Sequence, residues 1–290
     1  MTFQDVETAR KTYQNKFNKG LIISLIITII SCALLVILPF IGFVIVIIIA
    51  GTCTIFTTYF TAREKTAYKK AYKGYFIKQN LQKIFTNVVY DHQKGFSPDV
   101  IRESGMMKLA DRFYSNDLTL AKYKDIAFAQ ADVTLTRVHT DNNGNTHEYP
   151  VFKGRYMIFE FPKKFKYRLE VIGKKFKLYQ IPGKTTTHKM TTIETESTDF
   201  NRNFKIYGDD GFESFYLLAP DVIAKIEDIA VRYNHKLLLG FYNHKLIVAL
   251  DDGKDAFEPP KPRKPINEKE DMAKVKSDIK VITDFVDIIS

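Results

Sequence analysis

From Gly20 to Ala62 the chain carries no Asp, Glu, Lys, Arg or His. Within this gap runs LIISLIITIISCALLVILPFIGFVIVIIIAGTCTIFTTYF, Leu21 to Phe60. A helix of about 20 apolar residues crosses a ~30 Å hydrocarbon core, so the run is long enough for two crossings. One unbroken helix over it would be roughly 60 Å long, about twice that core. Midway stands Leu38-Pro39-Phe40-Ile41-Gly42. Proline removes a backbone donor and disfavours the α region in the residue before it. The pattern predicts a helical hairpin with spans 21–38 and 41–60, turning at the far membrane face, because backbone at membrane depth must satisfy itself. One kinked span or a re-entrant hairpin is the competing reading, since the first span is only just long enough.

Arg10, Lys11, Lys16 and Lys19 precede the apolar run, and Arg63, Lys65, Lys69, Lys70, Lys73, Lys78 and Lys83 follow it. The turn between the spans is uncharged. The positive-inside rule then predicts a multi-pass protein of the cell membrane with both termini cytoplasmic. A cleaved signal peptide fits poorly, because the apolar stretch is too long and no small-residue cleavage site follows it.

Outside the spans about 230 residues remain, enough for one or two domains with real cores. The net charge is +10, with 16 Tyr, 23 Phe and no Trp. Cys32 and Cys53 are the only cysteines, and both lie in the apolar run. In a hairpin their depths differ by roughly 9 Å, too far for a disulfide. A zinc centre of the usual cysteine type is excluded.

Six segments are predicted: a basic N-terminus (1–20), the transmembrane hairpin (21–60), a juxtamembrane basic helix (61–95), a cytoplasmic α+β domain (96–257), a Pro-rich linker (258–266) and an amphipathic helix (267–290). The juxtamembrane helix is read from Tyr68, Tyr72, Tyr75, Leu81, Ile84, Phe85 and Val88 at three- and four-residue steps. Ser97-Pro98-Asp99 reads as the cap of a short helix closing at Gly105.

From about Lys122 the periodicity changes to strands. DIAFAQADVTLTRV and VFKGRYMIFEF (151–161) flank the turn chemistry DNNGNT (141–146) and predict a hairpin. RLEVIG (168–173), FKIYG (204–208) and SFYLLA (214–219) read as further strands, and Pro220-Asp221 opens a helix bearing Val222, Ile226 and Ile229. KLLLGFY and KLIVAL (236–250) read as a hairpin turning on Asn243-His244. The predicted class is α+β with a mostly antiparallel sheet and flanking helices.

In the tail, Met272, Val275, Ile279, Ile282, Val286 and Ile289 step 3-4-3-4-3, a coiled-coil-like seam of only about two and a half heptads. It reads as docking on its own domain, with pairing to another chain or to the membrane surface as alternatives.

Residues 194–250 resemble the closing segment of domain-of-unknown-function family 3137, found in bacterial membrane proteins. The matching elements are Glu196, Phe200, Phe204, Asp209–Asp210, Leu218, Pro220 and the last strands. VFKGRYMIFEF resembles that family's phenylalanine-lysine-glycine strand, and the anchor with its Lys- and Tyr-rich helix is similar as well. The segment Gly211-Phe212-Glu213-Ser214-Phe215 departs from the family pattern, which is more polar there. The resemblance implies this architecture and a membrane location, and brings no activity, cofactor or catalytic residues.

Several constellations carry candidate chemistry. His139 and His147 flank the DNNGNT turn, with Asp141 inside it; together they are a weak candidate for zinc or nickel, against an exposed turn with incidental histidines. YNHKL occurs at 233–237 and 242–246, but its two histidines are placed too far apart for one site. Asp209-Asp210-Gly211 and Asp251-Asp252-Gly253 lack calcium-loop spacing and read as turns. There is no phosphate-binding glycine loop, no G-x-S-x-G and no H-E-x-x-H, so no cofactor is expected and a binding module is favoured over an enzyme.

Between Pro162 and Lys189 stand nine basic residues and one acid, Glu170, with Phe165, Tyr167, Phe176 and Tyr179 among them. Such a stretch is a solvated face, a contact for anionic lipid, or a nucleic-acid patch. Tethering to a membrane favours lipid over nucleic acid. The lipid-surface candidates are Lys65, Lys69, Lys70, Lys73, Lys163, Lys164, Lys166, Arg168, Lys174, Lys175 and Lys177. The functional expectation is a membrane-anchored binding or scaffold module contacting anionic lipid or a membrane protein. The alternative is an enzyme with a dispersed active site acting on a membrane-associated or anionic substrate.

Overall fold

The structure is a computed structural model describing residues 1–37, 39–178, 190–209 and 216–289; the side chains of 33–47, 50 and 54 are outside the description. The chain divides into two compact units, residues 1–79 with 258–275, and residues 80–257 with 276–290.

The first unit is built on α1 (Phe3–Ile37) and α2 (Pro39–Tyr72), which separate where Pro39 ends the run of backbone donors. The two helices pack antiparallel. Lys16 Nζ meets Glu64 at 2.6 Å and lies 4.3 Å from the centre of the Phe60 ring. Gly20 lets the helices approach, since a Cβ there would stand 2.9 Å from Thr57 Cγ2. Among the described residues, Phe3–Cys32 is long and apolar enough to cross a membrane. Large apolar side chains on both helices point outward, with Leu25 61% and Ile55 69% exposed. The hydroxyls of Ser31 and Thr57 donate to carbonyls one turn back at 2.8 Å, which satisfies them without water. Cys32 and Cys53 are free thiols.

Within the basic N-terminus, α1 already runs from Phe3, with Val6 and Arg10 buried. The Pro-rich segment is not a bare linker. Arg10 Nη1 donates to Pro262 O at 2.5 Å, and Tyr68 Oη donates to Pro260 O at 3.1 Å. The Arg263 guanidinium lies 5.6 Å from the centre of the Phe17 ring. A proline-rich backbone makes few internal hydrogen bonds, so its carbonyls stay free for side-chain donors. That chemistry turns a predicted linker into a strap.

After α2 comes one turn of π-helix, Lys73–Lys78, and then α3 (Gln79–Ile84). The helix predicted to 95 stops here, because Thr86–Asp91 forms strand β1. Thr86, Val88, Val89 and Tyr90 suit a pleated surface, and the ladder to the next strand overrides their helical spacing.

The second unit is an α+β domain around a seven-stranded antiparallel sheet. Its strands are β1, β2 (Arg112–Tyr123), β3 (Ile126–Thr140), β4 (Thr146–Gly173), β5 (Thr191–Ile193), β6 (Phe204–Gly208) and β7 (Leu237–Leu250). The order is β1-β2-β3-β4-β6-β5, with β7 also paired to β4. Short helices α4 (Pro98–Ser104) and α5 (Thr198–Asn203) precede α6 (Pro220–Arg232) and α7 (Glu268–Val286). Gly105 closes α4 at φ +67°, the left-handed conformation expected of a glycine there.

The predicted β3–β4 hairpin forms, with His139 opposite His147. Two strand predictions do not hold. VFKGRYMIFEF and RLEVIG are halves of one strand, β4, and KLLLGFYNHKLIVAL is one strand, β7, with no hairpin at Asn243-His244. β7 lies antiparallel along both halves of β4. Between them β4 advances from residue 160 to 169 while β7 covers only 245 to 241, so β4 bulges on either side of the Phe165–Asn243 pair, at residues 161–164 and 166–168. Asn243, at φ +52°, marks the bend of β7 there. Turn-like residues therefore serve bulges, not turns. SFYLLA is corrected as well: Tyr216 and Leu217 form a helical turn before α6, and 214–215 lie outside the described residues.

One face of the sheet packs Val133, Leu135, Phe152, Tyr156, Ile172 and Ile247 against Ile101 and Met107. The opposite face carries Phe128, Met157 and Phe159, and the part of α7 from Lys276 onward lies against it, with the Phe159 and Phe285 ring centres 6.4 Å apart. Gly154 gives the resembling Phe-Lys-Gly strand its physical reason. A Cβ there would sit 1.9 Å from Leu250 O, and Lys153 accepts from Gly253 N at 2.8 Å. Gly154→Ala is expected to lose at least the roughly 1–3 kcal/mol typical of overpacking, because the obstruction is backbone. Urea unfolding of the full chain in detergent would show it.

Candidate functional site

A polar centre lies under the covered face of the sheet. β2 and β3 pair Asn116 with Asp132, and the register then shifts before Thr119. The shift leaves Asp117 at φ +59° with its side chain fully buried. Asp132 is paired across β3 and β4 with Arg155. β7 then ends in Asp251-Asp252-Gly253, a turn with Gly253 at φ +71°. Lys153 N donates to Asp251 Oδ1 at 3.2 Å, which folds residues 251–257 back over β4. This brings Asp252 within 3.5 Å of Arg155, and Asp255 to Asp132.

The oxygens of Asp117, Asp132 and Asp255 lie within 4.8 Å of one another. Asp117 is held by Tyr90 Oη (2.5 Å) and Asn116 Nδ2 (2.7 Å). Asp132 is only 3% exposed, and neither of its oxygens has a hydrogen-bond donor. Burial, followed by the neighbouring Asp255 and Asp117, pushes the Asp132 carboxyl well above the usual range. Arg155 opposes this only weakly, and it is drawn the other way, towards Asp252 and Asp278, donating to Asp278 O at 2.6 Å.

The residues singled out from sequence are distributed differently. His139, Asp141 and His147 do meet at one exposed hairpin end, with His147 Nε2 3.5 Å from Asp141 Oδ2. Asp141 Oδ1 accepts from the backbone of Asn143 and Asn145, and the Asn145 N–H leads in holding its carboxyl below the usual range. That carboxylate closes the turn.

Of the lysine candidates, Lys65, Lys70, Lys163, Lys164, Lys166, Lys174, Lys175 and Lys177 are exposed. Three others turn inward. Lys69 and Lys73 pair with Glu258 at 2.7 and 3.5 Å, and Lys73 is buried. Arg168 pairs with Glu170 at 2.7 Å and donates to Ser104 O at 2.9 Å. Burial raises the Glu170 carboxyl above the usual range, and Arg168 counters it. A desolvated carboxylate captured the arginine.

Nor are the basic residues one patch. Lys163, Lys164 and Lys166 sit on the β4 bulge opposite Asn243, whereas Lys174 follows Ile172, which pairs with Leu238. Those two β7 positions are about 17 Å apart along the strand. Lys184 and Lys189 lie outside the described residues.

The tail seam is internal. Val275, Ile279, Ile282 and Val286 are buried, while Met272 and Ile289 are half-buried. A separate open cleft of about 510 Å³ is lined by Thr195, Glu196, Ser197, Leu218, Pro220 and Glu227, among others. Glu196, Leu218 and Pro220 belong to the resembling motif. The Ser197 hydroxyl caps α5 by accepting from Phe200 N at 3.2 Å.

The aspartate centre escaped the sequence reading, although a signal was present. Along β3 the apolar set changes phase from Ile126 and Phe128 to Val133 and Leu135. That switch makes both faces interior, so Gln130 and Asp132 are buried polar groups.

No curated protein matches the chain. The crystal structure of the mycobacterial trehalose monomycolate transport factor A, TtfA, is similar over 77% of this chain and 94% of that chain, at 7% identity and a TM-score of 0.40. A likeness that distant carries no function. Residues 150–290, which supply most of β4, all of β5 to β7, Arg155, Asp252, Asp255 and α7, match the model of the family described as protein of unknown function (DUF3137).

Proposed function

We propose that this protein is a membrane-anchored binding module. In this reading α1 and α2 cross the cell membrane as a two-span hairpin with both termini cytoplasmic, and the α+β domain engages anionic lipid or a membrane protein. The outward apolar surface of the two helices carries the proposal. Leu25, Ile29, Ile55 and Phe56 are all more than half exposed, and helices of a water-soluble unit would bury them. Their hydroxyl groups are internally satisfied, as a hydrocarbon surrounding demands. The exposed bulge lysines, Lys163, Lys164 and Lys166, are the lipid contacts of this reading, each contributing about 1 kcal/mol near an anionic surface.

The test is alkaline carbonate extraction of membranes carrying the full chain. The native chain is expected in the pellet, and Leu25→Lys with Ile55→Lys in the supernatant or degraded. A native chain released by carbonate would sink the anchor. In nanodiscs, a photo-crosslinker at position 164 is expected to label phosphatidylglycerol but not neutral lipid; equal labelling would remove the lipid contact.

A further inference from the structure

We propose that Asp117, Asp132 and Asp255 form a site for one hard divalent cation of the Mg²⁺, Mn²⁺ or Ca²⁺ class, beneath the sheet face that α7 covers. The three carboxylates present oxygens within 4.8 Å of one another, the widest separation of two ligands on one ion at ~2.4 Å. Asp132 is buried, aimed into the group, and without a donor on either oxygen; Asp255 Oδ1 also lacks one. A second, separate group points the same way. Gln130 is fully buried with both amide atoms unpartnered, and it shares the Asp132 face of β3, one pleat along.

Ionised carboxylates do not hydrogen-bond to each other, so their contact needs either a proton or a cation between them. Arg155 does not supply the charge, because Asp252 and Asp278 already engage it. The Tyr90 and Asn116 donors orient Asp117. The donors are all oxygen, with no His or Cys in the group, which suits hard ions and not zinc. A cation here would fasten the β2 bulge and β3 to the 251–257 segment.

The experiment uses the full chain in detergent, stripped with a chelator and then titrated separately with Mg²⁺, Mn²⁺ and Ca²⁺. Calorimetry, elemental analysis and Tm are the readouts. Near neutral pH, one ion per chain is expected for at least one metal, with a rise in Tm. Asp132→Asn is expected to lose affinity by at least the ~10–100-fold that losing even an outer-shell partner costs. The stripped variant should nevertheless be as stable as the stripped native chain, since it removes an uncompensated charge. Asp255→Asn, on the loop, provides the same comparison should Asp132→Asn not fold.

Proton competition gives a further readout. Asp117, Asp255 and Arg155 act on Asp132, and Tyr90 and Asn116 hold Asp117. The Tm rise given by metal should shrink on acidification, because ligands must be deprotonated. Overturning results are no stoichiometric binding of any of the three metals, or equal binding by both Asp→Asn variants and the native chain. Either would leave a shared proton as the link between the carboxyls.

Discussion

Arg155→Met should cost about 3–5 kcal/mol of folding stability, the range for breaking a buried ion pair from one side. Arg155 is 2% exposed and is the cation that Asp252 (3.5 Å) and Asp278 (3.9 Å) share. Its Nη1 also satisfies Asp278 O. Methionine keeps most of the volume and removes the charge, so the loss reports electrostatics and the hydrogen bond, not a cavity. Adding Asp252→Asn and Asp278→Asn to Arg155→Met should recover part of it, because the uncompensated charges go too. Urea unfolding of the full chain in detergent measures both. A loss under about 1 kcal/mol would mean that water reaches the centre and screens it.

The second large effect lies in α7. Ile282→Ala and Phe285→Ala should destabilise the domain by about 2–5 and 3–5 kcal/mol, the usual cost of emptying a packed site. Both residues are fully buried, and Phe285 meets Phe159 across the sheet face. Met272→Ala, at a half-buried position, should cost far less. A seam that served another chain would behave in the opposite way, with unchanged stability and a lost partner in a pull-down from native membranes. The same variants, assayed for Tm and retained protein, separate the two. Length argues for docking within the chain over pairing: about two and a half heptads bury too little area for an independent coiled coil.

Several elements were legible because they depend on neighbours in sequence. The break near Pro39, the start of α4 at Pro98 and its Gly105 stop, the DNNGNT turn and the start of α6 at Pro220 all follow from local backbone chemistry. The failures share one origin. Asn243-His244 and Pro162-Lys163-Lys164 carry turn chemistry, but each faces the other across a ladder, and a bulge uses the same φ values and missing donor as a turn. Thr86–Asp91 fit a helical step until β2 offered a partner. Which of two locally permitted conformations forms was settled by pairing from far along the chain.

The candidate centre divides the same way. Sequence placed weight on residues close in number, namely His139, Asp141 and His147, or a run of lysines. The buried centre instead takes Asp117, Asp132, Arg155, Asp252, Asp255 and Asp278 from separate elements. Asp251-Asp252-Gly253 was rightly a turn, but its purpose, to return Asp252 and Asp255 over β4, required the β7–β4 register.

By itself the sequence determined the charge-free double-length apolar run, the α+β class, the antiparallel character of the sheet and the resemblance to a family over its C-terminal part. These rest on composition and on periods of 2 and 3.6, which the chain carries at every point. Only the tertiary structure decided which charges are surface and which are interior. A lysine or arginine reads the same in sequence whether it is solvated, as Lys164 is, or held by a buried acid, as Lys73 and Arg168 are. Desolvation and pairing are properties of what lies within a few ångströms in space, and sequence distance does not encode them.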